Sequence, residues 1–245
     1  MFSDGSNSRS WNQGIWDVSA TKKEHLGALR ITPDGRKFRY ARCGPTTALV
    51  AGYMGVAADS VAHHIECSCA TANIGDRNVL VTLGATAVTV NQYQDGYLIV
   101  NKGTGIGHQY HIESHSIGAA SGTVEIILSD PIRVALVASG TSEVSLTYSP
   151  FANVAVSGDE ENLPVGLSIR VVPVSNYYWA QTGGAAGWIC TENPAIGGYI
   201  ILDDATGGKG QKRVTALDVD TPALAINYGH TGVALEMAKV WLIMD

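Results

Sequence analysis

Three histidines fall within one short stretch of the 245-residue chain: His108, His111 and His115, spaced His-x2-His-x3-His. On a helix this spacing would put all three rings on one face, the arrangement a zinc ion needs. The segment 108–115 reads as a strand, however, with glycines upstream and downstream. At a period of two, His111 and His115 share one face and His108 takes the other. A second cluster, His63-His64-Ile65-Glu66-Cys67-Ser68-Cys69, puts Cys67 and Cys69 on one strand face without a C-x2-C pair. Structural or solvent-facing roles account for both clusters more simply than a metal, and no metal or cofactor is expected.

Other chemistry has weaker signatures. Gly103-Thr104-Gly105-Ile106-Gly107 and Thr206-Gly207-Gly208-Lys209-Gly210-Gln211-Lys212 are glycine-rich. Neither enters a helix as G-x-G-x-x-G, and neither has a P-loop Lys-Ser/Thr; turn chemistry explains both. Asp203-Asp204 and Glu160-Glu161 are adjacent pairs whose side chains diverge on a strand. There is no G-x-S-x-G elbow, and no Ser or Cys stands to a histidine in a spacing that marks a nucleophile–base pair, although a triad assembled only in space stays open. The expectation is a protein that is not an enzyme.

The elements that position these residues read as β throughout. Hydrophobic residues make up 45% and charged residues 16% of the chain, the latter well below the roughly 25% usual in soluble domains. The 28 glycines, with abundant Val, Thr, Ala and Ser, suit short strands and tight turns. Strand-like segments recur at 49–53, 65–70, 78–83, 97–101, 109–113, 123–128, 133–138, 145–155, 165–174, 177–181, 187–190, 199–202, 213–217, 223–227 and 234–244. This spacing without long helices indicates an all-β body, a β-barrel or β-sandwich of one or two units. The expected organisation is an arm over 1–42, a β domain over 43–157, a linker over 158–164 and a second β domain or half-body over 165–245. A faint self-similarity aligns Gly96–Gly107 with Asn176–Gly187 through Tyr97/Tyr177, Gly103/Gly183 and Gly107/Gly187. No apolar run approaches the about 20 residues of a membrane helix, and the polar start has no signal-peptide pattern. The four cysteines are too few and too scattered for a disulfide scaffold. Synthesis and folding in a cytosol, away from membranes, are therefore expected.

Charge is divided unevenly. Residues 1–42 hold eight basic and four acidic residues, a balance of +4; the remainder holds eight basic and eighteen acidic, a balance of −10. The first 25 residues are rich in Ser, Asn and Gly, yet carry Phe2, Trp11, Ile15 and Trp16. Aromatics in a polar arm suggest anchors for pockets on a partner or on the body. Pro33-Asp34-Gly35 is a turn with a mechanism, since Pro sets φ and Gly accepts positive φ. The alternation Lys37-Phe38-Arg39-Tyr40 then makes a hairpin with one apolar and one cationic face. An acidic body would repel nucleic acid, so the arm suits a protein partner: Phe2, Trp11, Trp16, Phe38 and Tyr40 as buried anchors, and Arg30, Arg36, Lys37, Arg39 and Arg42 against acidic surfaces.

The stretch Gly27–Ala41 (GALRITPDGRKFRYA) resembles N-terminal segments of structural proteins in tailed-bacteriophage heads, where a D-G-R-x-[F/Y]-x-Y-like strand follows an extended arm. Pro173–Gly183 (PVSNYYWAQTG) resembles a strand of phage decoration and capsid-associated β domains. The resemblance implies a head decoration, or cement, protein located in the virion capsid. Its partners would be the major capsid protein and copies of itself, in a homo-oligomer with a trimer favoured. The absence of a long spine-helix pattern favours this role over the shell-forming one. A tail-fibre or baseplate-associated glycan-binding module is the alternative, with Tyr110, Tyr177, Tyr178, Trp179 and Trp188 lining a sugar-stacking site.

Overall fold

The computed structural model describes residues 10–138, 140–156, 162–214, 221–229 and 236–245. The chain is all-β, and its strands in order are β1 (Leu29–Ile31), β2 (Lys37–Arg42), β3 (Tyr53–Val56), β4 (Cys67–Cys69), β5 (Asn78–Thr82), β6 (Tyr97–Lys102), β7 (Gln109–His115) and β8 (Thr123–Leu128). They continue as β9 (Glu143–Thr147), β10 (Pro164–Ser168), β11 (Tyr177–Ile189), β12 (Tyr199–Leu202), β13 (Gly210–Lys212), β14 (Ala225–Asn227) and β15 (Met237–Ile243). One 3-10 turn, Ala62–His64, lies between β3 and β4.

β4 to β9 close into a six-stranded antiparallel barrel in the order β4-β5-β8-β7-β6-β9. Period-two alternation fills it. Val79 and Val81, Val124, Ile126 and Leu128, Leu98 and Val100, Val144 and Leu146 all point inward and are buried. The remaining strands form a nine-stranded sheet along the path β1-β2-β11-β15-β14-β12-β13, with β10 on β11 and β3 on β10.

The barrel is therefore an insertion between β3 and β10 of the sheet, and the unit boundaries differ from those expected at 42/43 and 157. Residues 43–56 belong to the sheet, through β3 and the bridges Cys43↔Val154, Leu49↔Val172 and Val56↔Ala155. Of the expected linker, 158–161 lie outside the described residues and Pro164 already opens β10. The self-similar stretches also play different roles. Gly103–Gly107 is a turn after β6, whereas Gly183–Gly187 lie inside β11.

β11, the longest strand, joins the two halves of the sheet. β2 pairs along Tyr177–Gly183 and β15 along Gly183–Ile189. The ladder with β2 is irregular between Gln181 and Gly183, and Gly184 sits at φ +81°. This left-handed residue lets one strand serve both partners. A Cβ at Gly184 would lie 3.1 Å from the Arg36 Cα, whereas at Gly35 (φ +83°), the hairpin turn, a Cβ would meet nothing within 4 Å. Gly35→Ala should therefore cost only left-handed strain, about 1–2 kcal/mol, and Gly184→Ala roughly 2–4 kcal/mol. Urea unfolding of the two variants measures the difference.

Candidate functional site: an anchored arm and an exposed sheet face

Gln13 organises the segment before the hairpin. Only 5% exposed, it hydrogen-bonds through every polar group of its side chain. Its Nε2 donates to the Asp17 carbonyl at 2.9 Å and the Tyr177 carbonyl at 3.1 Å, and its Oε1 accepts from the Tyr40 hydroxyl at 2.8 Å. Its backbone carbonyl accepts from Arg30 Nη1 at 2.8 Å and from Trp179 Nε1 at 3.0 Å. The Tyr40 hydroxyl accepts in turn from the Lys23 N–H. Burial pushes the Tyr40 hydroxyl pKa up to about 12, so it remains a donor at all ordinary pH values.

Aromatic and cationic side chains alternate around this hub. The Arg30 guanidinium lies 5.7 Å from the Trp11 ring centroid and 5.6 Å from that of Trp179, and the two indoles meet edge to face at 5.0 Å. Tyr40 meets Trp179 edge-on at 5.0 Å and stacks on Tyr177 at 5.9 Å, which Arg42 covers at 5.6 Å. Burial lowers the Arg30 pKa, and Glu24 opposes the change. Beyond the hub, Ser19 and Tyr177 exchange backbone hydrogen bonds, 3.0 and 2.8 Å, adding a short bridge beside β11. Lys22 reaches Asp95 of the barrel at 2.5 Å.

The expected partner-binding residues are thus placed as follows. Phe2 lies outside the described residues. Phe38 and Tyr40 are fully buried, and Trp11 is half-buried, all within this chain. The hairpin faces are mixed, because the register sets Arg30 opposite Phe38 and sets Leu29 and Ile31 opposite Arg39 and Lys37. The cations find partners in the same chain. Arg36 pairs with Asp34 at 2.7 Å and covers Phe38; Arg39 holds both oxygens of the Asp245 side chain at 3.0 and 2.9 Å; Lys37 reaches the Asp245 carbonyl at 2.8 Å. The hydrogen bonds from Arg39 hold the Asp245 carboxyl below its usual range, with Thr182 contributing. Of the aromatic anchors described, only Trp16, at 56% exposure, presents its side chain largely to solvent. The anchoring surface is the chain's own sheet.

The histidines are held in local hydrogen bonds. His108 bonds the Gly105 carbonyl, and His111 bonds the Ser129 hydroxyl at 2.8 Å. His115 faces inward although His111, four residues earlier, is only half-buried. An irregularity between Ile112 and Ser114 adds one residue and reverses the alternation. His64 and His115 flank the buried Tyr93. His64 Nδ1 accepts from the Tyr93 hydroxyl at 2.5 Å while its Nε2–H donates to the Thr86 carbonyl. His115 Nε2 accepts from the Tyr93 N–H at 2.9 Å while its Nδ1–H donates to the Ser116 carbonyl. The backbone N–H at Nε2 fixes the His115 ring as its Nδ1–H tautomer. Among the described residues, no three His, Cys, Asp or Glu side chains converge as metal ligands would.

Sequence reasoning missed a third feature, the outer face of the sheet. On β15, Met237, Lys239, Trp241 and Ile243 face out while Ala238, Val240 and Leu242 are buried. The register aligns Tyr199 (β12), Ile226 (β14), Trp241 (β15) and Ala185 (β11) in one row across four strands. Tyr199 is 51% exposed, Met237 51% and Trp241 48%. The signal was present in the sequence, because Met-Ala-Lys-Val-Trp-Leu-Ile is apolar at nearly every position, the pattern of a strand covered on both faces.

Compared with known proteins, the chain matches no family model, no curated protein and no solved structure.

Two outcomes test the anchors. Gln13→Leu removes the acceptor of the buried Tyr40 hydroxyl proton and one of the two donors to the Tyr177 carbonyl, a loss of about 1–3 kcal/mol. Tryptic cleavage after Lys22 or Lys23 should accelerate, with the barrel left intact. Burial lowers the His115 pKa from 6.5, so the folded state resists a proton that the unfolded state takes up. Stability should fall as the pH drops below about 6.5, by at most about 1.4 kcal/mol per pH unit. Urea midpoints from pH 7.5 to 5.5 measure the fall, which His115→Gln should reduce.

Proposed function

We propose that this chain is a non-enzymatic virion structural protein of the capsid decoration type. It attaches through the outer face of its nine-stranded sheet, with the major capsid protein and copies of itself as partners. One observation carries this reading: the aligned row Tyr199–Ile226–Trp241–Ala185, flanked by Met237 and Ile243, is an exposed apolar surface on a rigid sheet. Apolar patches of this kind mark interaction sites, and a preordered surface docks without the entropy cost of ordering a loop.

The arm has a different part from that expected. Residues 10–42 brace their own sheet, so attachment falls to the face and not to a clasp by Phe38, Tyr40 or the hairpin cations. The glycan-binding alternative loses its aromatics: Tyr110, Tyr178, Trp179 and Trp188 are buried, and Tyr177 lies stacked on Tyr40. The low overall charge suits a surface largely covered by neighbours.

Quantitative mass spectrometry of purified particles tests this reading. The chain is expected at a stoichiometric copy number, and particles assembled without it are expected to release their contents at a lower temperature. Its absence from particles would overturn the proposal.

A further inference from the structure

We infer that the outer face of β11, β15, β14 and β12 is a self-docking surface, on which two copies of this chain pack face to face about a two-fold axis. This inference rests on the reading of that face as an assembly surface, and it names the occupant.

Relief comes first. Trp241 stands out from β15 at 48% exposure. Directly opposite it on β11 is Ala185, with Gly183 and Gly187 two residues to either side. The Lys37 side chain lies over Gly183 and the Met237 sulfur over Gly187, so the face has a ridge at Trp241 and a low point at Ala185 between those two side chains. Two copies related by a two-fold axis in the plane between the sheets set each Trp241 against the other's Ala185. Such an interface is isologous, so one patch supplies both knob and seat.

Charge and area agree with this occupant. Tyr199, Ile226, Trp241, Ala185, Met237 and Ile243 are all uncharged; the cations beside them are Lys239 on β15 and Lys37, whose side chain lies over Gly183 and reaches the Asp245 carbonyl. A strongly charged partner would find little to pair with, whereas a second copy brings an equally neutral surface. Half-exposed aromatic rings each offer about 100 Å². With the aliphatic neighbours, the row supplies roughly 500 Å² of apolar surface, and the surrounding rim brings this towards the about 800 Å² per partner of a stable interface. Tyr199 and Trp241 are two strands apart, about 10 Å, a separation two sugar rings could also span. The aliphatic residues between and beside them favour a protein surface.

Sedimentation velocity of the full chain over roughly 1–100 µM tests the proposal. The wild type is expected as a dimer. Trp241→Glu and Ala185→Arg should each weaken dimerisation about thirtyfold or more, as loss of a central anchor does, with unchanged far-ultraviolet circular-dichroism spectra. Trp16→Glu, at an exposed tryptophan elsewhere, should remain dimeric. A wild-type monomer throughout this range, a trimer, or a dimer indifferent to both Trp241→Glu and Ala185→Arg would overturn self-docking. So would a monomer whose Trp241 fluorescence responds to oligosaccharides. If the chain is stoichiometric in particles but monomeric in solution, self-docking fails and the decoration reading stands. If it dimerises but is absent from particles, the reverse holds.

Discussion

Trp179 lies near the middle of a sheet, on the strand that pairs with β2, β10 and β15, and its indole N–H needs an acceptor while its ring needs cover. Both come from residues 11–15, which pack Trp11 and Ile15 on the ring and aim the Gln13 carbonyl at Nε1. The same carbonyl takes the Arg30 guanidinium, so one backbone oxygen ties the arm, the hairpin and β11 together. A buried polar group left unpaired costs more than the bond returns when made. That asymmetry gives the arm one position on the body, although its own Ser-, Asn- and Gly-rich sequence has little means of specifying structure.

From this constraint the rest follows. With the arm seated, Phe38, Tyr40 and Trp179 form a closed cluster, β2 is held against the first half of β11, and the second half pairs with β15. The turn of partner at Gly183–Gly184 needs residues without side chains, because Lys37 and Arg36 lie where a Cβ would be. The barrel then projects from the sheet as an inserted unit and is tied to the arm by Lys22–Asp95.

Much of the fold was legible in the sequence. Period two and turn residues located most strands, and β8 spans the residues read for it. β11 was read as two strands, because Gln181-Thr182-Gly183-Gly184-Ala185-Ala186-Gly187 has the composition of a turn; its strand conformation is imposed by the β2 ladder up to Gly183 and the β15 ladder from Gly183 on, a non-local effect. Domain boundaries were misplaced for a similar reason, since barrel closure depends on β4 meeting β9 across 75 to 77 residues of chain. That Trp11 would dock was legible; that it would dock on its own body was not, because aromatic residues in an arm do not specify whose pocket they fill. His115 was placed on the wrong face because one extra residue in β7 has no sequence signature. The outer face was legible in the two-sided apolar pattern of β15, and the segment 234–244 was read only as one more strand.

The central claim is that the arm is committed to its own chain and the sheet face is what meets neighbours. Hydroxyl-radical footprinting of the protein, as a dilute monomer and in its assembled state, measures this directly. Labelling of Trp241, Met237 and Tyr199 should drop on assembly, while Trp11 and Trp16 should label equally in both states. Unchanged labelling at Trp241 with new protection at Trp11 and Trp16 would contradict the account.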